Sequence, residues 1–281
     1  IIDFTILVGI NVVLWLSSLV LGKVWPVDFI WSNWPQSQAI LIYTRNSGEG
    51  NCSRQIMVFV LVFLWGSRLT LNFVARGGVG HEDWRYVDMR SKFGANFWWI
   101  SLFSVFLGQT IFMFGPCLAL YGALLSDRNL GAFDVLAGIV CVGAIVLETC
   151  SDVQMDHFQA LKREKRTEST MINSGLWLWS RHPNYMGEIL WWWGLYLFGV
   201  ISAPAWVVAG PIALTLLFVF VSVDLMETRQ LANKGEAFLD YKRRVPSPLL
   251  LLPPPLNRRI GSWLYGGAPG PEQVQPRTGT Y

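Results

Sequence analysis

The amino-acid sequence predicts an all-α polytopic membrane protein with about seven transmembrane helices. Three observations predict it. Apolar residues make up 52% of the chain and charged ones 15%, where a soluble domain carries nearer a quarter charged residues. The apolar residues gather in runs of the length a helix needs to cross a hydrocarbon core of about 30 Å. Lys and Arg, finally, concentrate on alternate connections between those runs.

The runs fall at 1–22, 28–44, 56–74, 97–125, 132–151, 184–200 and 203–226. The first is a mainly apolar run, too long for a signal-peptide core and without a small-residue cleavage pattern after it, so a trimmed or incompletely read N-terminus is expected. The second, "DFIWSNWPQSQAILIY", carries Trp31, Trp34 and Tyr43 like an interfacial belt but also Pro35, Gln36 and Gln38, so a broken or re-entrant helix is one reading of it and a seventh span the other, which topology favours. The remaining runs read as ordinary spans. With seven of them, segments 23–27, 75–96, 152–183 and 227–281 share one side and hold nearly all the basic residues, leaving Arg45, Arg54 and Arg128 opposite and Arg68 within the membrane. The positive-inside rule then puts the C-terminus in the cytosol and the N-terminus outside it. A single transmembrane domain over 1–250 is expected, with the cofactor-binding half at about 132–246. An extended Pro- and Gly-rich tail is expected at 251–281.

Composition also excludes functions. A formal net charge of +3 is far from the balance of a nucleic-acid-binding protein. Cys52, Cys117, Cys141 and Cys150 show no paired spacing, so neither a disulfide framework nor a metal knot is expected. His81, His157 and His182 stand far apart, which removes the clustered histidines of a membrane di-iron enzyme, and no metal is expected. "GGVG" at Gly77 to Gly80 follows a membrane run rather than a strand and reads as a flexible turn, and no Walker loop or nucleophile elbow occurs.

Chemistry is expected where ionisable groups lie at membrane depth, because each is costly there unless paired or facing a polar cavity. Arg68, Asp134, Glu148, Glu188 and Asp224 meet that description. Glu148, Asp152, Met155, Gln159 and Lys162 form one stripe on a helix leaving the membrane. A solvated exit accounts for "KREKRTEST" but not for Glu148 and Asp152. The stretch "SRHPNYMGE" sets Arg181, His182, Asn184, Tyr185 and Glu188 between "GLWLW" and "ILWWWGLYLFGV". Pro183 suits the first turn of a helix, so free backbone N–H groups before it would face an anion beside Arg181 and His182. The bland alternative is a polar cap with Trp177 and Trp179 as belt residues. Farther on, "VDLMETRQLANKGEAFLDYKRRVP" carries Asp224, Glu227, Arg229, Tyr241, Lys242, Arg243 and Arg244, acids suited to hydroxyls and arginines suited to phosphate.

Together "GLWLWSRHPNYMGEILWWWGLY", "ETCSDVQ" and "HEDWRYVDMR" resemble the steroid 5-alpha-reductase C-terminal domain superfamily, in its uncharacterised membrane branch related to the 3-oxo-5-alpha-steroid 4-dehydrogenases. The resemblance covers about 28–250 and extends to "VDFIWSNWP" and "LWGSRLTLNFVARGG". It implies a seven-helix fold that holds NADPH and reduces a conjugated double bond in a steroid- or lipid-like substrate. Carried over, Asp152 and Asn184 match polar positions that contact the dinucleotide, and Glu188 the acid of the same helix. Arg181, His182 and Tyr185 belong to the shared motif, and Arg181, Arg229, Arg244 and Lys162 would meet phosphates. Glu227 and Tyr241 complete the expected cofactor set. The glutamate and tyrosine that polarise the substrate carbonyl in the steroid reductases have no match; Trp65 stands near the tyrosine's place, and the catalytic residues stay unassigned. "RHPNY" with "FLDYKRRVP" also resembles isoprenylcysteine carboxyl methyltransferases and phospholipid N-methyltransferases, which bind S-adenosylmethionine, although their paired glutamates stand here as Glu227-Thr228. A third reading is a non-catalytic subunit of a larger membrane complex, its Trp residues serving lipid and partner contacts. Membrane lipids surround the chain in every reading, and an internal membrane such as the endoplasmic reticulum is expected.

Overall fold

Helices are the only regular elements among residues 1–265, the part of the chain that the computed structural model describes. Five are long and apolar enough to cross a membrane: α1 (Ile2–Leu21), α3 (Cys52–Ala75), α4 (Trp84–Leu125), α5 (Ala132–Arg163) and α7 (Ala205–Lys234). The other two expected spans are helices too, α2 (Pro26–Arg45) and α6 (Pro183–Gly199). α2 is too polar and α6, at 17 residues, falls short of the roughly 20 a perpendicular span needs. The chain is thus an integral membrane protein with five such helices. It divides into two compact units, Ile1–Ile145 with Leu190–Thr215, and Val146–Ile189 with the chain from Leu216.

In the first unit, α2 is unbroken at Pro35, which removes the broken-helix reading of this segment. Packing on both faces overrides the lost hydrogen bond. On one face Gly66 of α3 comes so close that a Cβ there would lie 2.5 Å from the Ser32 carbonyl oxygen. On the other, Val27 shares a core cluster with Trp15 of α1 and Arg45 pairs with Asp3. Those two contacts hold α1 to α2, and each of these helices also carries a buried amide side chain, Asn11 on α1 and Gln38 on α2. Both are fully buried, and the Gln38 amide has no hydrogen-bond partner. α4 begins at Trp84 rather than 97, because the Asp83 carboxylate accepts the Arg85 N–H at 2.9 Å and starts a helix in the polar "WRYVDMR" segment. A π-helical turn interrupts α4 at Leu102–Leu107.

Asp134 pairs with a buried arginine. Arg54 Nε lies 2.6 Å from its Oδ1, while Nη1 and Nη2 donate to the Ser126 and Asn129 carbonyls, each at 3.0 Å. Every arm of the fork is thereby held, which is what a charge needs to survive burial. Trp65 stacks on Trp191 with ring centroids 5.0 Å apart and planes 5° from parallel. Small residues bring α7 against α4: a Cβ on Gly210 would lie 2.6 Å from the Gly115 backbone carbon.

The second unit contains the exit of α5, the loop to Ser180, the start of α6, the later part of α7, α8 (Glu236–Arg244), the extended run 245–253 and a last helical segment, 254–265. α5 runs to Arg163, three turns past the end of its apolar run at 151, as the stripe from Glu148 to Lys162 requires. α7 carries its own π-helical turn at Phe218–Ser222, just before Glu227. Residues 254–265 are helical rather than extended, because buried Asn257 anchors them: its Oδ1 accepts the Ser247 N–H at 2.9 Å and its Nδ2 donates to the Trp179 carbonyl at 2.8 Å. The rest of the expected tail, 266–281, lies outside the described residues.

Candidate functional site

The candidate site is assembled within the second unit, around the turn that enters α6. Two contacts hold the turn to the α5 exit. The Leu176 N–H donates to Gln154 Oε1 at 2.9 Å, and the Trp177 indole N–H donates to the Ser151 carbonyl at 3.1 Å. Gly175 has a positive φ of 59°, which favours glycine, and a Cβ there would lie 2.4 Å from Gln154 Oε1 and push that amide off its bond to the Leu176 N–H. Trp177 is buried with Phe158 and Ile172; it is a core residue, not the belt residue of the bland reading.

Pro183 opens α6 as expected. The N–H groups before it do not face an open site: Arg181 N–H donates to the Ser247 carbonyl at 3.0 Å and His182 N–H to the Pro248 carbonyl at 2.9 Å. The run 245–248 supplies these acceptors because Pro246 and Pro248 carry no N–H of their own and leave its carbonyls to neighbours.

At the centre sits Glu227, buried on α7. Its Oε1 is 2.6 Å from Arg181 Nε and 3.3 Å from His182 Nε2, and its Oε2 is 2.9 Å from Lys242 Nζ. Arg181 also donates from Nη1 to the carbonyls of Val245, at 2.8 Å, and Pro246. Two of its three nitrogens are thus committed to the protein, so Arg181 ties the turn to the 245–248 run instead of reaching freely for phosphate. Lys242, absent from the predicted set, completes the knot; its sequence signal was only its place among the basic residues closing α8.

His182 lies face to face with Tyr185, ring centroids 5.1 Å apart and planes 8° from parallel. Burial lowers the pKa of His182; the hydrogen bond and charge of Glu227 oppose this, and the Arg181 and Lys242 cations add to it. With His182 neutral, the knot carries two cations and one anion. Tyr241 is buried, its hydroxyl donating to the Trp177 carbonyl at 2.7 Å, and burial pushes that phenol up from its usual range.

The other predicted residues lie around this knot rather than in it. Asn184 and Glu188 share one face of α6 a turn apart, Glu188 buried and the Asn184 Oδ1 buried without a hydrogen-bond partner. Asp152 is half-buried on α5, one turn beyond buried Glu148. Arg229 is half-buried two residues past Glu227, on another face of α7, and Arg244 is exposed at the end of α8 with Nε 3.4 Å from the Asp240 carbonyl. Lys162 lies close enough to Lys234 for the two cations to interact. Among the described residues no group of three His, Cys, Asp or Glu side chains is placed to hold a metal.

A family model described as "Protein of unknown function (DUF1295)" matches residues 14–245. The chain belongs to the DUF1295 family. That family is related to the steroid 5-alpha-reductase-like membrane proteins, the superfamily that the motifs resemble. An uncharacterized protein from Schizosaccharomyces pombe is 29% identical over 216 residues, which cover 69% of this chain and 62% of that protein. The protein-S-isoprenylcysteine O-methyltransferases of Mus musculus and Rattus norvegicus are each 34% identical over 91 residues, covering 32% of this DUF1295 chain and 30% of theirs. The chain thus spans less than two thirds of each of these relatives. No solved structure matches.

Proposed function

We propose that this DUF1295 chain is a membrane-embedded, NADPH-dependent reductase of a conjugated double bond in a steroid- or lipid-like substrate. The observation that carries the reading is the buried Asn184 Oδ1, an acceptor without a partner one turn from Glu188 and next to a knot with a surplus positive charge. An unmet acceptor in such a place costs free energy unless a ligand donor meets it, and a surplus cation suits an anionic ligand. NADPH fits both, with its carboxamide and ribose donors and its phosphates. Asn184 and Asp152 would orient the donors, while Lys242, Arg229, Arg244 and Lys162 would face phosphate. Arg181, Glu227 and Tyr241 would hold the frame.

Bound there, NADPH would supply the hydride for the β carbon of an enone, with water as the source of the proton for the α carbon. The protein's share is orientation and charge. His182, kept neutral against Tyr185, adds no second positive charge beside Arg181. In this reading the site opens to the cytosol and the enzyme resides in the endoplasmic reticulum or another internal membrane.

A second reading is favoured by the mouse and rat relatives: a membrane methyltransferase using S-adenosylmethionine, whose ammonium group would equally suit Asn184. The deciding experiment is a thermal-shift titration of detergent-purified protein with NADPH, NADH and S-adenosylmethionine, for wild type, Asn184→Ala and Asp152→Ala. A ligand that binds only the folded state raises its stability, by about 2.7 kcal/mol at 100 times its Kd. Stabilisation by NADPH that both substitutions abolish supports the reductase. A shift with S-adenosylmethionine alone replaces it by the methyltransferase, and no shift with any of the three points to a non-catalytic subunit.

A further inference from the structure

The helical segment 254–265 has two faces of opposite character. Asn257 and Gly261, one turn apart, are buried against the protein, and a Cβ on Gly261 would lie 2.6 Å from Asn257 Oδ1 and 3.2 Å from Ser247 N. Leu256, Ile260, Trp263, Leu264 and Tyr265 face outward, Trp263 at 81% exposure. Arg258 and Arg259 are exposed beside them and have no ion-pair partner among the described residues. A groove of about 460 Å³ combines the two chemistries, lined by Leu256, Ile260, Trp263 and Arg259.

We propose that 254–265 is a binding site for an acidic phospholipid of the adjoining leaflet, the acyl region against Leu256, Ile260 and Trp263 and the phosphate on Arg258 and Arg259. Charge complementarity selects this occupant. Two exposed arginines without an ion-pair partner among the described residues favour an anion, the apolar groove beside them favours a chain attached to it, and a short amphipathic helix with Trp and Arg is suited to the membrane interface. The site also reaches inward. Asn257 bonds both to Ser247 and to the Trp179 carbonyl, and Ser247 and Pro248 hold the Arg181 and His182 N–H groups. Lipid that seats the segment therefore steadies the turn before α6, whichever cofactor the protein uses.

Hydrogen exchange of the full chain tests this in nanodiscs of phosphatidylcholine alone, or of phosphatidylcholine with increasing phosphatidylglycerol. Phosphatidylglycerol is expected to slow exchange in 254–265 and at the Arg181 and His182 amides. Each basic residue near an acidic leaflet strengthens binding by about fivefold, so Arg258→Gln with Arg259→Gln should raise the phosphatidylglycerol fraction needed for half-protection by roughly 25-fold. Lys at both positions should restore most of the effect, which separates charge from folding. Equal exchange in both nanodiscs, unchanged response in the Gln variant, or equal protection by inorganic phosphate added to phosphatidylcholine nanodiscs would each overturn the proposal.

Discussion

Glu227→Ala should be among the most damaging single substitutions in the second unit. It removes the one anion from a buried knot and leaves Arg181, with an accessible side-chain surface of only 6%, facing Lys242 without a counter-charge. Breaking a buried pair from one side costs about 3–5 kcal/mol, whereas an exposed pair such as Arg243 with Asp240 is screened by water and holds little. The assay is denaturant unfolding in mild detergent for wild type, Glu227→Ala, Arg181→Met, the double variant Arg181→Met with Glu227→Met, and Asp240→Ala as the exposed control. Both single variants should lose several kcal/mol and the control far less. The double variant should recover only in part, since the Val245 and Pro246 carbonyls lose their Arg181 donor. A Glu227→Ala protein within about 1 kcal/mol of wild type would refute the claim that this carboxylate holds the turn to α7 and α8.

Three further outcomes are expected. His182 is depressed in the folded state while its unfolded reference is 6.5, so below pH 6.5 the unfolded chain takes up a proton that the folded chain refuses. Stability should therefore fall as pH drops through that window and stay level above it, and His182→Gln should flatten the slope; a wild-type curve that rises on acidification would contradict the neutral assignment. Gly210→Leu should destabilise the first unit by about 1–3 kcal/mol or more, because the obstruction is Gly115 backbone, which cannot rotate away; thermal unfolding reads this, and Gly210→Ala should do less harm. Gln38→Leu should raise the unfolding midpoint of detergent-purified protein, since an unpaired buried amide costs about 1–3 kcal/mol; a lowered midpoint would mean that the amide is partnered in solution.

Local chemistry in the sequence anticipated much of this. Apolar runs located the long helices, and Pro183 located the start of α6, because both signals act within a few residues. The continuity of α2 was not legible: Pro35 argues for a break, and the overriding term is the approach of Gly66 from another helix. Nor could the motif reveal that Arg181 is spent internally. Its carbonyl acceptors stand over sixty residues away, and an arginine beside a helix start reads the same whether it binds a phosphate or a loop. Lys242 was hidden among neighbouring basic residues for a similar reason: only the facing of α8 toward α7 separates it from Arg243, which pairs with its own helix.

The π-helical turn at Phe218–Ser222 makes Glu227 sensitive to the length of its own helix. A π turn holds one residue more than the regular spiral, so it amounts to an insertion absorbed in place. Were that turn to relax to ordinary α geometry with every residue kept, everything beyond it would swing by about 100°, at 3.6 residues per turn. The carboxylate would then point away from Arg181 and Lys242 although no residue of the knot had changed. Between relatives, a gap of one position within 218–222 would leave this centre in register, whereas a gap between that turn and the acid would turn the carboxylate away.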